Sequence, residues 1–248
     1  MKHTFNTGID VALFGNRLLL SANYYNSRTT DMLYLYNVSV PPFTYNTLLA
    51  NIGSMRNWGT EIAIGITPLK TKDMELNINA NITFQRNKLL SLSGMYSGEM
   101  LSAPEYKSLS GLDGAGFHGG YNHIVYQMVG QPLGVFYLPH STGLESDGNG
   151  GYTYGIADLN GGGVSLEDGE DRYVAGQAVP KTILGSNISF RYKRFDLSLQ
   201  VNGAFGHKIY NGTSLTYMNM NIFPDYNVME EACLLYTSPS PRDGLLSR

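Results

Sequence analysis

The chain has one cysteine, Cys233, in 248 residues, so no disulfide can form within it. Charge is scarce too: 15% of residues are Asp, Glu, Lys or Arg, against roughly 25% in an average soluble domain. No apolar run approaches the ~18 residues of a spanning helix, which excludes a helical membrane protein. No basic cluster accompanies the net charge of −3, which argues against nucleic acid as a partner. The opening Met1-Lys2-His3-Thr4-Phe5-Asn6 has no apolar core and no cleavage site, so it is not a secretory signal. Either a cytoplasmic protein or a chain that starts inside a longer one would give such an opening. Catalytic patterns are missing as well. No Ser–His–Asp set or carboxylate pair stands at a compelling spacing, and no enzyme is expected. His118 and His123 lack a third ligand at sensible spacing and read as surface histidines.

What fills the space is Gly, Tyr, Asn and Ser, with 29 Gly, 18 Tyr and 10 Phe. Aromatics at this level with low net charge exclude intrinsic disorder. The main signal is alternation with period two over 4–14, 17–27, 58–67, 73–85, 182–192 and 195–206. The fourth segment is the cleanest: Met74, Leu76, Ile78, Ala80, Ile82 and Phe84 alternate with Glu75, Asn77, Asn79, Asn81 and Thr83. A strand points successive side chains to opposite faces, so each segment is a two-faced strand.

The connections alternate as well. Gly15-Asn16, 68–72 and Lys193-Arg194 are short and polar, as antiparallel hairpins require. The stretches 28–57, 86–181 and everything after His207 are long. Short turns at one end and long loops at the other are the layout of an outer-membrane barrel. Strands of ten to twelve residues also fit a tilted membrane-spanning strand, which needs ~9–11. The polar face is Asn, Ser, Gly, Thr and Gln rather than Lys and Glu, which suits a wet lumen backed by lipid. Phe14, Tyr24, Tyr25, Trp58, Phe84, Tyr192 and Phe195 sit where interfacial girdles form. The alternatives are a secreted soluble β-sandwich that binds carbohydrate and a structural, adhesin-like barrel.

Within 86–181 a glycine cluster (Gly111, Gly114, Gly116, Gly119, Gly120) lacks the strand-to-helix context of a phosphate cradle and reads as a flexible loop. Asp158-Leu-Asn160-Gly-Gly162-Gly-Val164 has the start of a calcium loop. Asp158 and Asn160 would give side-chain oxygens and Val164 a carbonyl. Gly162 stands where a fifth-position Asp or Asn belongs, and Gly169 where the bidentate Glu belongs. A calcium site and an acidic solvated turn are therefore both open.

Five motifs, in order, resemble one family. They are Asn51-Ile52-Gly53 with Asn57-Trp58-Gly59-Thr60-Glu61; Gly130-Gln-Pro132-Leu-Gly134-Val-Phe136-Tyr137; Asp158-Leu-Asn160-Gly161 onward to Asp171-Arg172, Gly176, Pro180 and Gly185; Tyr192 to Leu197; and Gly203 to Asn211. Together they are similar to the SusC/RagA-type TonB-linked outer-membrane proteins of the Bacteroidetes. The resemblance implies an all-β fold, an antiparallel transmembrane β-barrel fragment of about six to eight strands from a barrel of about 22. It implies outer-membrane localisation and import of glycans or other oligomeric nutrients, peptides included. The implied partners are a SusD-like lipoprotein lid and the TonB complex, the latter through regions missing here. The chain reads as part of the barrel's C-terminal half, 1–232. The stretch 233–248 resembles translated sequencing-adapter read-through, a non-native tail; the alternative is a natural, disordered Ser/Pro tail.

Sugar rings stack on aromatics, so the loop residues Tyr34, Tyr36, Tyr45, Phe117, Tyr121 and Tyr126 are candidate substrate contacts; packing between loops is the other reading. Asn77, Asn79, Asn81 and Asn202 would either line the path or hydrogen-bond one another.

Overall fold

The computed structural model describes residues 1–104, 106–112, 122–146, 152–165, 170–218 and 227–230. The chain divides into two compact units, Met1–Lys107 with Tyr126–Lys208, and Ser108–Val125 with Ile209–Arg248. The tail 233–248 lies outside the described residues, as do Gly114, Gly116, Gly119 and Gly120.

Four long strands open the chain: β1 (Lys2–Leu13), β2 (Leu18–Asn37), β3 (Thr47–Lys70) and β4 (Met74–Ser91). Short strands follow: β5 (Gly94–Tyr96), β6 (Glu99–Leu101), β7 (Tyr106–Leu112), β8 (Asn122–Met128), β9 (Val135–Pro139), β10 (Ser141–Ser146), β11 (Tyr152–Ile156) and β12 (Arg172–Gln177). Two further strands, β13 (Thr182–Tyr192) and β14 (Phe195–Phe205), precede the short helix α1 (Gly212–Tyr217). Within the second unit, Asn211 Oδ1 caps α1 by accepting the Ser214 N–H at 2.9 Å.

The wall is one six-stranded sheet in the order β1-β2-β3-β4-β13-β14, antiparallel throughout. These are the six strands that the alternation predicts. The further strands belong to smaller sheets of the central excursion, β12-β9-β8-β7, β10-β11 and β5-β6. Although the excursion separates β4 from β13 in sequence, the two are direct neighbours, so the wall continues across it. The three predicted turns lie together at one end of the wall. In the first, Gly15 and Asn16 have φ of 64° and 68°, the hand that a type I′ hairpin requires.

Two strands outrun their expected lengths. β2 has 20 residues and β3 has 24, about 65 and 80 Å of extended chain, well beyond a bilayer's need. The pairing shifts between Thr29 and Met32 of β2 and between Met32 and Leu33. Each bulge moves the alternation by one residue, which hides the strand's continuation from a period-two reading. Beyond the bulge Tyr34 and Tyr36 turn inward while Leu33 and Leu35 turn out. Tyr36, Ala50 and Leu101 form a buried apolar cluster there, flanked by Val38, Phe43, Leu48, Ile52 and Tyr96.

The lower wall is built the other way. Phe5, Ile9, Leu197 and Leu199 are each more than half exposed on one face, and no second sheet covers them among the described residues. A β-sandwich buries that face, so the soluble-sandwich reading does not describe this fold. Phe5, Tyr24, Trp58, Phe84 and Phe205 fall in neighbouring register positions near the long-loop end. Phe14, Tyr192 and Phe195 lie at the short-turn end. Phe195 and Phe205 bound β14 ten residues apart, which is about 33 Å of strand. Tilted ~40°, that strand spans about 25 Å, the height of a barrel's lipid-facing band.

Candidate functional site

The opposite face of the same strands is polar by register. Asn79 stands opposite Gly65 and Asn187, Asn187 opposite Gln200, and Gly185 opposite both Asn81 and Asn202. Together with Asp10, Ser21 and Ala63 they line a groove of about 570 Å³ that crosses all six strands. A second groove, about 640 Å³, continues toward the long loops past Asn23, Tyr25, Glu61, Gln85 and Arg86. The predicted Asn79, Asn81 and Asn202 share the first groove. Asn77 lies on the same face, accepting from Thr67 Oγ1 at 2.8 Å and donating to Glu75 Oε1 at 3.3 Å. A side-chain amide offers donors and an acceptor without net charge. Such a surface can exchange hydrogen bonds with a passing chain of hydroxyls or amides without trapping it electrostatically.

The candidate loop aromatics divide. Tyr45 is exposed at 74%. Tyr34 is half-buried, with the Lys107 ammonium 5.0 Å above its ring and the Tyr36 ring edge-on at 5.1 Å. Tyr36 is 1% exposed within the apolar cluster, and burial pushes its phenol above the ordinary 10.0. Tyr126 is buried as well. Its ring meets Tyr137 edge-on at 5.4 Å and Tyr106 at 6.2 Å, and its hydroxyl accepts from Arg172 Nη1 at 3.1 Å. Tyr36 and Tyr126 thus fill loop cores and present no free ring, because the strands carrying them are covered by returning chain. Phe117 and Tyr121 lie outside the described residues.

The loop with the calcium-like spacing is organised around its own amides. Asp158 Oδ1 accepts the N–H groups of Asn160 and Gly161 at 3.2 and 2.5 Å, and its Oδ2 that of Gly163 at 3.0 Å. Asn160 Oδ1 accepts the Gly162 N–H at 2.7 Å. A calcium cage would need these oxygens aimed at the ion; here those of Asp158 and Asn160 accept the loop's own N–H groups, and Val164 beside them is exposed. Among the described residues no three His, Cys, Asp or Glu side chains come close enough to share a metal.

Asp171 is the residue that holds this loop, a role its sequence position did not announce. It is buried, has φ of 50°, and accepts the N–H groups of Ser165 and Leu159, each at 2.7 Å. Those bonds keep its carboxyl below the ordinary 3.8, against the upward push of burial. With the folded value depressed, the stabilisation is complete above about pH 4 and lost as pH falls through the folded value. Asp171→Asn should therefore lower hydrogen-exchange protection at Leu159 and Ser165 about tenfold at neutral pH. The gap between variant and wild type should close as pH falls through the depressed folded value and the wild-type carboxyl becomes neutral. Equal protection at neutral pH would remove Asp171 from this role.

A sheet that is apolar on one face, largely polar on the other, turned tightly at one end and extended at the other has the features of an outer-membrane barrel's wall. The sequence model for TonB dependent receptor-like β-barrels matches residues 3–229. The chain belongs to the TonB-dependent receptor β-barrel family. A TonB-dependent receptor of Formosa agariphila is 30% identical over 221 residues, covering 84% of this chain and 20% of the relative. The TonB-dependent receptor SusC of Bacteroides thetaiotaomicron is 24% identical over 215 residues, covering 84% and 19%. Among solved structures, the RagAB peptide transporter superposes with a TM-score of 0.63 at 22% identity, over 88% of this chain and 22% of that one. The chain thus spans about a fifth of the length of these relatives.

In this receptor barrel the motif residues have physical work. A Cβ on Gly59 would strike the Phe84 carbonyl oxygen and come within 2.7 Å of the Tyr25 hydroxyl. Tyr25 stands opposite Gly59 in the register and lies across it, filling space the glycine leaves. Farther on, Asn87 Oδ1 accepts the Leu133 N–H at 2.7 Å, and Leu89 and Gly130–Gln131 exchange backbone bonds at 2.8 and 2.9 Å. The Gly130–Tyr137 motif therefore docks the excursion onto the upper edge of β4.

Proposed function

We propose that this chain forms part of the wall of an energised outer-membrane importer that passes oligomeric nutrients, glycans or peptides, into the periplasm. A SusD-like lipoprotein would cover the long-loop side and the TonB complex would supply energy. The observation that carries this reading is the pairing of two aromatic belts, one membrane thickness apart, with a continuous amide-lined face behind them. Exposed Tyr45 and half-buried Tyr34, beyond the long-loop belt, are the aromatics best placed to meet substrate first.

Uptake of labelled oligosaccharide or peptide by cells carrying the whole gene should vanish on deletion of TonB. Persistence of uptake without TonB would overturn the reading. An adhesin-like barrel would mediate attachment that is indifferent to TonB.

A further inference from the structure

We propose that a row of cations on the outward face of the wall, just beyond the long-loop aromatic belt, binds the phosphorylated headgroup of an outer-leaflet lipid. Arg28, Arg56 and Lys88 are directly opposed across β2, β3 and β4, and His3 continues the row on β1. Their positions alternate in phase with the apolar face: Arg28 with Tyr24, Arg56 with Trp58, Lys88 with Phe84. All four are exposed.

The row is costly without an anion. Like charges directly opposite in a sheet are destabilising, and strands ~4.8 Å apart bring three cations within about 10 Å. Among the described residues none of the three has a carboxylate partner. The short-turn end is compensated by contrast: Glu75 pairs there with both Lys70 and Arg191. Arg56 is also held in place. Its Nε donates to Asn26 Oδ1 at 2.9 Å and its guanidinium lies 5.0 Å from the Trp58 ring centre. That leaves its terminal nitrogens for a ligand, and a guanidinium fork matches a phosphate. The location selects the source of that phosphate. The groups border the lipid-facing band on the side of the long loops, where the nearest dense phosphate is the headgroup layer of the outer leaflet.

This inference rests on the membrane-wall reading above. The test uses the complete receptor extracted from its membrane, with lipid retention read by native mass spectrometry. Wild-type protein in nanodiscs should retain bisphosphorylated lipid A and release the dephosphorylated lipid. The R28Q/R56Q/K88Q variant should retain about ten- to a hundredfold less of the phosphorylated form. Millimolar inorganic phosphate should not displace the lipid; full displacement would mean a free-phosphate site and overturn the proposal. Equal retention of both lipids by the wild type overturns it with no variant needed. A variant that keeps its lipid but loses a protein partner marks a protein interface and also overturns it. Heat-modifiable gel mobility reports the barrel itself. Its absence in the wild type would sink the membrane reading, whereas its presence with no lipid preference would sink only this inference.

Discussion

Ile188→Arg should block assembly of the receptor into the membrane, while Asn187→Arg, one residue away, should leave it intact. Both positions lie near the middle of β13, between Thr182 and Tyr192. Ile188 is flanked by Ile78 and Leu199 on the apolar face, and Asn187 by Asn79 and Gln200 on the polar one. A cation on the lipid face of a barrel costs about 2–4 kcal/mol at the bilayer midplane. On the water-lined face the same side chain keeps its hydration and the cost falls well below that. Heat-modifiable mobility and the amount of protein in the outer-membrane fraction measure the difference. A face turned to water on both sides would tolerate both changes alike, and that result would defeat the membrane assignment. A path-lining Arg at 187 should still slow uptake of bulky substrate, since it narrows a groove of about 570 Å³.

The second large effect is expected at Gly59. Gly59→Val places two methyl groups where even a Cβ collides with the Phe84 carbonyl oxygen. That obstacle is backbone, on a paired central strand, and cannot rotate away. Overpacking of this kind costs typically about 1–3 kcal/mol, enough to reduce barrel yield severely. The companion change Tyr25→Ala removes the ring but not the carbonyl. The double variant should therefore recover only part of the loss in urea-unfolding midpoint. Complete recovery would assign the whole constraint to the tyrosine. In either outcome the glycine is required by close approach, since its own φ is unexceptional.

How much of this was legible beforehand follows from the range of the interactions. Alternation is local, so Met74 to Phe84 declares a strand and its two faces without help. The turns are local too: Gly15-Asn16 announces a tight reversal. The upper wall was not legible, because the bulges at Thr29–Met32 and Met32–Leu33 exchange the faces and break the pattern. Tyr36 consequently read as a loop aromatic available to substrate, although Leu101, sixty-five residues on, covers it. For Tyr126 the packing alternative was equally invisible, since Tyr106, Tyr137 and Arg172 assemble around it only through the excursion's fold. Asp158 and Asn160 have the spacing of cation ligands, and spacing does not reveal that their oxygens accept nearby N–H groups. The cationic row was hidden by dispersion: Arg28, Arg56 and Lys88 lie about thirty residues apart, and only strand register aligns them.

The adjacency of β4 and β13 has a bearing on how such receptors diversify. The chain leaves the wall after Ser91 and rejoins it at Thr182 beside the strand it left. Each doubling of a flexible segment adds only about 0.6 kcal/mol to the cost of bringing its ends together. What the wall demands of the intervening ninety residues is two ends a strand's width apart and a docking point near Leu89 and Asn87. Recombination between relatives could exchange that whole cassette, and with it the outward-facing chemistry, while the membrane-embedded staves stay untouched. One scaffold can then be given a new set of long loops by a single crossover pair.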